Sequence, residues 1–137
     1  MRLISFNFEK INIEKNPKKI EKLSINTSIE ILDAKEAKTE FKFKGEQLIT
    51  VKFRYDITYS PDFAKINFIG NILLSLNQKS AKEFLNQFKN KKISDEFKIP
   101  LFNFILRKLN VKALELEEEL SLPLHIRLPY VEKTEGE

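Results

Sequence analysis

The sequence predicts a single α+β domain in which an antiparallel sheet of four strands, or five if one further short segment pairs, packs against a long C-terminal helix. Two patterns carry that expectation. Residues 49–76 contain two alternating apolar runs joined by a Ser-Pro-Asp turn, which is the period of half-buried strands. Residues 101–120 repeat Leu, Ile, Phe and Ala at spacings of three and four, which is the period of a helix face. At 137 residues, with 42% hydrophobic and 32% charged residues, the chain suits one core and is too rich in Ile, Leu and Phe for disorder.

The first strand, Leu3–Glu14, places Ile4, Phe6 and Phe8 on one face and then shifts to Ile11 and Ile13. Side chains alternate with a period of two, so the change of phase requires a bulge near Glu9 and Lys10. Lys15–Leu23, with Pro17 among its lysines, reads as an exposed connection. A second strand over Ser24–Lys35 carries Ile25, Thr27, Ile29 and Ile31 on one face. The short fifth candidate, Glu40–Lys44, carries Phe41 and Phe43 ahead of a turn at Gly45.

The clearest segment is Ile49–Tyr59, where Ile49, Val51, Phe53, Tyr55, Ile57 and Tyr59 alternate without a break against polar residues. Ser60, Pro61 and Asp62 supply a turn, and Phe63–Leu76 repeats the alternation through Ala64, Ile66, Phe68, Gly70, Ile72 and Leu74. Together they predict a long antiparallel hairpin with one wet face.

Ser80 followed by Glu83 has the spacing of a capping box, predicting a short helix over Ala81–Asn90 with Phe84, Leu85 and Phe88 on its apolar side. The long helix is expected to start near Pro100, since proline is tolerated in a first turn where its missing N–H would have no partner anyway. Phe102, Ile105, Leu106, Leu109, Ala113, Leu116 and Leu120 form one stripe suited to the sheet. Leu101, Phe104 and Val111 lie off that stripe, on a narrower apolar strip that a single sheet would leave in water; they are the expected oligomer interface. Leu120–Val131 contains two prolines and alternating Leu124, Ile126 and Leu128, so it reads as extended chain, and Glu132–Glu137 as a frayed acidic end.

Little in the sequence points to catalysis. Without cysteine, disulfides and thiolate metal sites are excluded, and one histidine gives little material for an imidazole site. No metal and no cofactor is therefore expected. The glycines, Gly45, Gly70 and Gly136, are too scattered for a phosphate loop. His125 stands alone among apolar neighbours and reads as a partly buried ring with one hydrogen bond. Glu117, Glu118 and Glu119 are adjacent on a helix and fan out rather than converge, so they read as a solvated face. Asp56 and Asp62 read as wet-face and turn residues without a third ligand for a cation. No catalytic residue is assigned, and the chain reads as non-enzymatic.

Partners are read from charge and surface. The net charge is +4, but 24 basic residues are interspersed with 20 acidic ones, a weak case for nucleic acid. Lysines in Lys79–Lys92 and at Arg107, Lys108 and Lys112 could form a basic surface, yet Phe84 and Phe88 are placed in the core rather than exposed for stacking on bases. No window reaches membrane-span length, and the first ten residues lack the apolar run of a signal peptide, so a cytoplasmic setting without membrane insertion is expected. The Lys, Glu and Ile bias is that of hyperthermophile proteins.

Three stretches give the chain a family resemblance: the hairpin ending INFIGNILLSL with Gly70 in its second strand, then LFNFILRKLNVKALELEEEL, then SLPLHIRLPYV. In this order they resemble the SecB-like protein-export chaperones, with the chain as a divergent, archaeal-type member. The resemblance implies a four-stranded sheet packed on a helix, assembly of dimers into tetramers through such helices, and apolar grooves that hold unfolded polypeptides. In bacteria such members pass clients to the SecA motor, by features not located here. The helix at Ala81–Asn90 departs from the family as an insertion, and the sequence ends at Glu137 ahead of the family's groove-covering helix. The implied function is that of a holdase acting without ATP on unfolded or nascent polypeptides, as a homo-oligomer. Phe41, Phe43 and Tyr130 are the candidate client contacts, because aromatic residues on extended segments offer apolar surface at low ordering cost. The alternative is a non-enzymatic adaptor or subunit of a larger, ribosome- or RNA-associated assembly.

Overall fold

In the hairpin, every second residue of both strands is removed from water, and the rest of the chain is arranged to cover that surface. The structure, a computed structural model, describes residues 1–17, 19, 22–38 and 45–134. Its elements are β1 (Arg2–Lys15), β2 (Ser24–Glu36), β3 (Glu46–Ser60), β4 (Ala64–Asn77), α1 (Gln78–Lys89) and α2 (Asp95–Glu119). The four strands form one antiparallel sheet in the order β1-β4-β3-β2, so the hairpin lies in the centre and β1 and β2 form the two edges. The expected short strand at Glu40–Lys44, with Phe41 and Phe43, lies outside the described residues.

The register sets the core. Ile49 faces Leu74, Val51 faces Ile72, Tyr55 faces Phe68 and Ile57 faces Ile66, all buried on the inner face. The outer face carries the alternate residues, where Asn67 donates to Asp56, Arg54 pairs with Glu30 at 2.6 Å and Lys52 with Glu9 at 3.4 Å. The two ion pairs are exposed, and each contributes little to stability. Their consequence is to keep that face wet, as the alternation predicted.

β1 shows the predicted bulge. Its pairing with β4 shifts between Phe8 and Lys10, which leaves Glu9 over and returns Ile11 and Ile13 to the inner register opposite Phe68 and Ile66. The extra residue directs Glu9 to the outer face, where the Asn71 amide donates to its carboxylate; this bond holds Glu9 below the usual carboxylate range against the opposing effect of desolvation, and Lys52 lowers it further. A second shift between Leu3 and Ser5 was not expected. It takes Ile4 out of the face shared by Phe6 and Phe8, and Leu3 replaces it against Leu74 and the core.

Gly70 stands where β1, β4 and β3 meet. A Cβ there would lie 2.5 Å from the Asn7 carbonyl oxygen and 2.7 Å from the Phe53 ring. The missing side chain is the space that Phe53 occupies, allowing its ring to reach the Phe6 ring at 5.3 Å between centroids.

The helices depart from expectation in detail. α1 begins three residues early: Asn77 is the N-cap and its side chain accepts from the Ser80 N–H at 2.8 Å, in place of the Ser80–Glu83 capping box. Asn77 ends β4 and starts the helix with no loop between them. α2 begins at Asp95 behind the N-cap Ser94, so Pro100 lies inside the helix. The acidic residues Asp95 and Glu96 complement the dipole of the first turn, while the absent Pro100 N–H costs one intrahelical bond.

The earlier start rotates the buried stripe. Its members are Phe97, Leu101, Ile105, Leu109, Ala113 and Glu117, four residues apart throughout. Such a row is one ridge of a helix surface. Phe102, Leu106, Leu116 and Leu120 flank it and are half-buried. Leu101 is therefore not on an outward strip: it is fully buried in the chain's own core.

Both helices stop in the same way. After α1, Lys91 adopts φ 57° while Lys91 N–H and Lys92 N–H reach back to the carbonyls of Phe88 and Gln87, each at 2.9 Å. After α2, Ser121 adopts φ 55°, and the N–H groups of Ser121 and Leu122 reach the carbonyls of Glu118 and Glu117. This is the Schellman closure, at a position where glycine avoids the Cβ penalty of left-handed backbone.

Gly70→Ala is expected to lower stability by about 2–3 kcal/mol, since the added carbon meets backbone and a core ring rather than a flexible chain end. Urea unfolding of the variant beside wild type measures it, and an unchanged midpoint would contradict the packing described.

Candidate functional site

Glu117 occupies the last position of the buried α2 ridge and is 0% exposed, so it is not part of a solvated face with Glu118 and Glu119. Its carboxylate accepts from the His125 backbone N–H at 2.9 Å and faces the ring Nδ1 at 2.7 Å. The ring's Nε2 lies 2.9 Å from the Asn110 Oδ1, to which Tyr55 also donates at 3.0 Å. Tyr59 donates to the Pro123 carbonyl at 2.6 Å. His125 thus has both ring nitrogens engaged rather than one. Burial first, and then the negative charge of Glu117, push both phenols above the ordinary tyrosine range; in Tyr55 a hydrogen bond with Thr27 works in the opposite direction.

A carboxylate, an imidazole and two phenols within hydrogen-bonding reach could suggest acid-base chemistry. Here each polar group faces inward, and no buried side-chain nitrogen or oxygen among the described residues lacks a partner. The arrangement ties the segment after α2 to the end of the sheet. Lys15 adds a further tie from β1, donating to the Leu120 carbonyl at the helix C-terminus at 2.7 Å, where the dipole favours a cation. Among the described residues no group of three or more His, Asp or Glu is placed to hold a metal ion.

Open apolar surface lies elsewhere. A groove of about 810 Å³ runs between the edge strand β2 and the connection from α1 to α2. Ile29, Ile31, Leu32, Phe88, Ile93 and Phe102 supply its apolar wall, all half-buried. Lys89, Lys91, Lys92 and Lys98 stand around it and are exposed. The resemblance implied an apolar groove, but neither its place nor its lining residues were anticipated. Its walls come from segments some sixty residues apart, and Phe88 had been placed wholly in the core; only Phe84 of α1's phenylalanines is fully buried. The cluster of lysines closing α1 was the available signal.

The sequence-derived site residues are dispersed. Val111 is 68% exposed on α2, Phe104 is half-buried and Leu101 is internal. Tyr130 is 54% exposed on the C-terminal segment, its ring covered by the Arg127 guanidinium at 4.3 Å, and does not line the groove. Phe41 and Phe43 lie outside the described residues. Asp56 is engaged by Asn67 and Arg54 on the outer face, and Asp62 sits in the hairpin turn beside Asn16.

No protein-family model matches the chain, and no curated protein matches it. Among solved structures it is similar to the SecB-like chaperone Rv1957 of Mycobacterium tuberculosis, in complex with a ChAD peptide from the Rv1956 HigA1 antitoxin. The TM-score is 0.51 and the identity 12%, covering 97% of this chain and 91% of that one. The likeness establishes a SecB-like fold, an antiparallel four-stranded sheet with the longer helix C-terminal, as the sequence predicted.

The buried network has measurable consequences for stability. His125→Ala should cost about 3–5 kcal/mol by leaving the Glu117 carboxylate buried without its partner. In denaturant titrations, Glu117→Leu with His125→Leu should lose less than the two single changes added together. Stability should also fall as pH rises above about 10, the ordinary phenol value, because the unfolded chain releases protons there that native Tyr55 and Tyr59 retain. Tyr59→Phe should flatten that fall in thermal midpoints taken across alkaline pH.

Proposed function

We propose that this protein is a SecB-like molecular chaperone that holds unfolded or nascent polypeptides without ATP. The observation that carries the reading is the open apolar groove beside β2 on a SecB-like fold. A holdase needs apolar surface that accepts many sequences, and it needs no catalytic group. The buried Glu117–His125 network serves as a structural tie in this reading, which is consistent with a non-enzymatic role. The peptide bound to the mycobacterial SecB-like protein supports the same class of partner.

Client contact is assigned to the groove, with Tyr130 as an accessory aromatic residue and Phe41 and Phe43 as further contacts. Assembly into a homo-oligomer is assigned to the outer side of α2, where Val111 and Ile99 are exposed and Phe104 is half-buried. The inner side of edge strand β1 adds Phe8 and Ile11, 38% and 40% exposed. The setting assigned is cytoplasmic; among the described residues no helix is long and apolar enough to cross a membrane.

Added to an unfolding model substrate without nucleotide, the protein should suppress light scattering from aggregation in proportion to its concentration. Aggregation unchanged at molar excess would exclude the holdase reading. Light scattering should give a particle larger than one chain; Val111→Glu should reduce it while circular dichroism stays native. Leu101→Glu, which places a carboxylate in the core, should instead unfold the chain. Equal effects of the two changes would remove the interface from α2.

A further inference from the structure

The groove carries information about which polypeptides it accepts. Its wall is aliphatic and aromatic, and four cations stand around it, Lys89, Lys91, Lys92 and Lys98, against one carboxylate among the described residues, Glu30. Among the described residues none of these four is ion-paired. The single carboxylate on the groove, Glu30, is engaged by Arg54 at 2.6 Å. Asp95 and Glu96 occupy the adjacent first turn of α2 but do not line the groove. The rim therefore presents uncompensated positive charge beside apolar surface, although the chain as a whole is nearly balanced at 24 basic and 20 acidic residues.

The backbone at Lys91 bears on how its charge is placed, although Ser121 closes α2 in the same conformation. Lys91 holds the left-handed position of the Schellman turn closing α1, where φ is 57°. Glycine is the residue that position favours, and any side chain there has a conformational cost. A lysine at this point carries its charge to the groove at the expense of local stability.

We infer that the groove selects polypeptide segments in which apolar residues are flanked by aspartate or glutamate, and disfavours basic ones. The inference rests on the holdase reading and names the client class of its groove. The apolar wall supplies affinity that is tolerant of sequence, and the lysines supply a charge filter that acts before close contact and weakens with salt. Four consecutive residues of the edge strand β2, Ile29 to Leu32, border the groove, so an extended segment is the form that fits alongside. Polypeptide is favoured over RNA as the polyanion. Four of the six apolar residues are aliphatic, Ile29, Ile31, Leu32 and Ile93, which offer no stacking surface, and the Phe102 ring is already covered by the Lys98 ammonium at 5.5 Å.

Fluorescence anisotropy with three labelled, unstructured peptides tests this. They share one apolar sequence and carry Asp and Glu, Ser, or Lys at the flanking positions. Affinity should rank acidic above neutral above basic, with roughly tenfold between the extremes in low salt and a narrowing spread as salt rises. Lys91→Gly should raise the thermal midpoint yet weaken the acidic peptide about threefold more than the neutral one, a pairing that general loss of structure cannot produce. Lys89→Glu with Lys92→Glu should reverse the ranking. Equal affinity for all three peptides would overturn the charge selection and leave the holdase reading standing. So would failure of all three to bind while aggregation is still suppressed. Failure of both assays would remove both readings, and displacement of the acidic peptide by tighter-binding oligouridylate would reassign the rim to RNA.

Discussion

The burial of Glu117 is the constraint around which one end of the molecule is organised. The α2 ridge that covers the hairpin runs at intervals of four residues, and its geometry makes the position after Ala113 as internal as those before it. A carboxylate there would cost several kcal/mol if left without a partner, so the chain beyond the helix has to return with donors. The Schellman turn at Ser121 reverses the direction, Leu122 enters the core, and His125 brings its backbone N–H and ring to the carboxylate. Asn110, Tyr55 and Tyr59 then join α2, β3 and the exit segment. Course and composition of residues 121–125 follow from one buried charge.

The opposite part of the molecule is built on different terms. Around the α1–α2 connection the apolar side chains are only half-covered and the cations are not ion-paired among the described residues. Where the Glu117 end satisfies every buried polar atom, this end leaves apolar surface open. On the chaperone reading, that contrast is a division between a closed end that fixes the sheet against α2 and an open region able to accept varied segments.

What the sequence revealed depends on how local each cause is. The hairpin was legible because β3 and β4 each have one buried and one wet face, so the alternation is complete. The Glu9 bulge was legible because it changes that phase within a single strand. The start of α2 was missed because Pro100 resembles a first-turn proline, and once Phe97 was left out the stripe was centred on the wrong side. That error placed Leu101 outside. Glu117 was misread because three adjacent glutamates look solvated unless the partner eight residues later is known to fold back. The groove could not be read from any one segment, since β2 and the α1–α2 connection become neighbours only through the fold.

On the proposal that the chain assembles with itself, the relocation of Leu101 changes which surfaces would carry the contact. A strip of Leu101, Phe104 and Val111 would have made α2 a sufficient interface by itself; with Leu101 internal and Phe104 half-buried, the outward apolar surface of the helix is small. Apolar exposure is instead shared between Val111 and Ile99 on α2 and Phe8 and Ile11 on β1. β1 is also an edge strand, with one row of backbone groups free of β4. A stable interface buries on the order of 800 Å² per partner, which favours helix and edge strand contributing together over the helix alone. Assembly of that kind would cover β1 and leave β2, at the other edge, with its lysine-rimmed groove open to polypeptide.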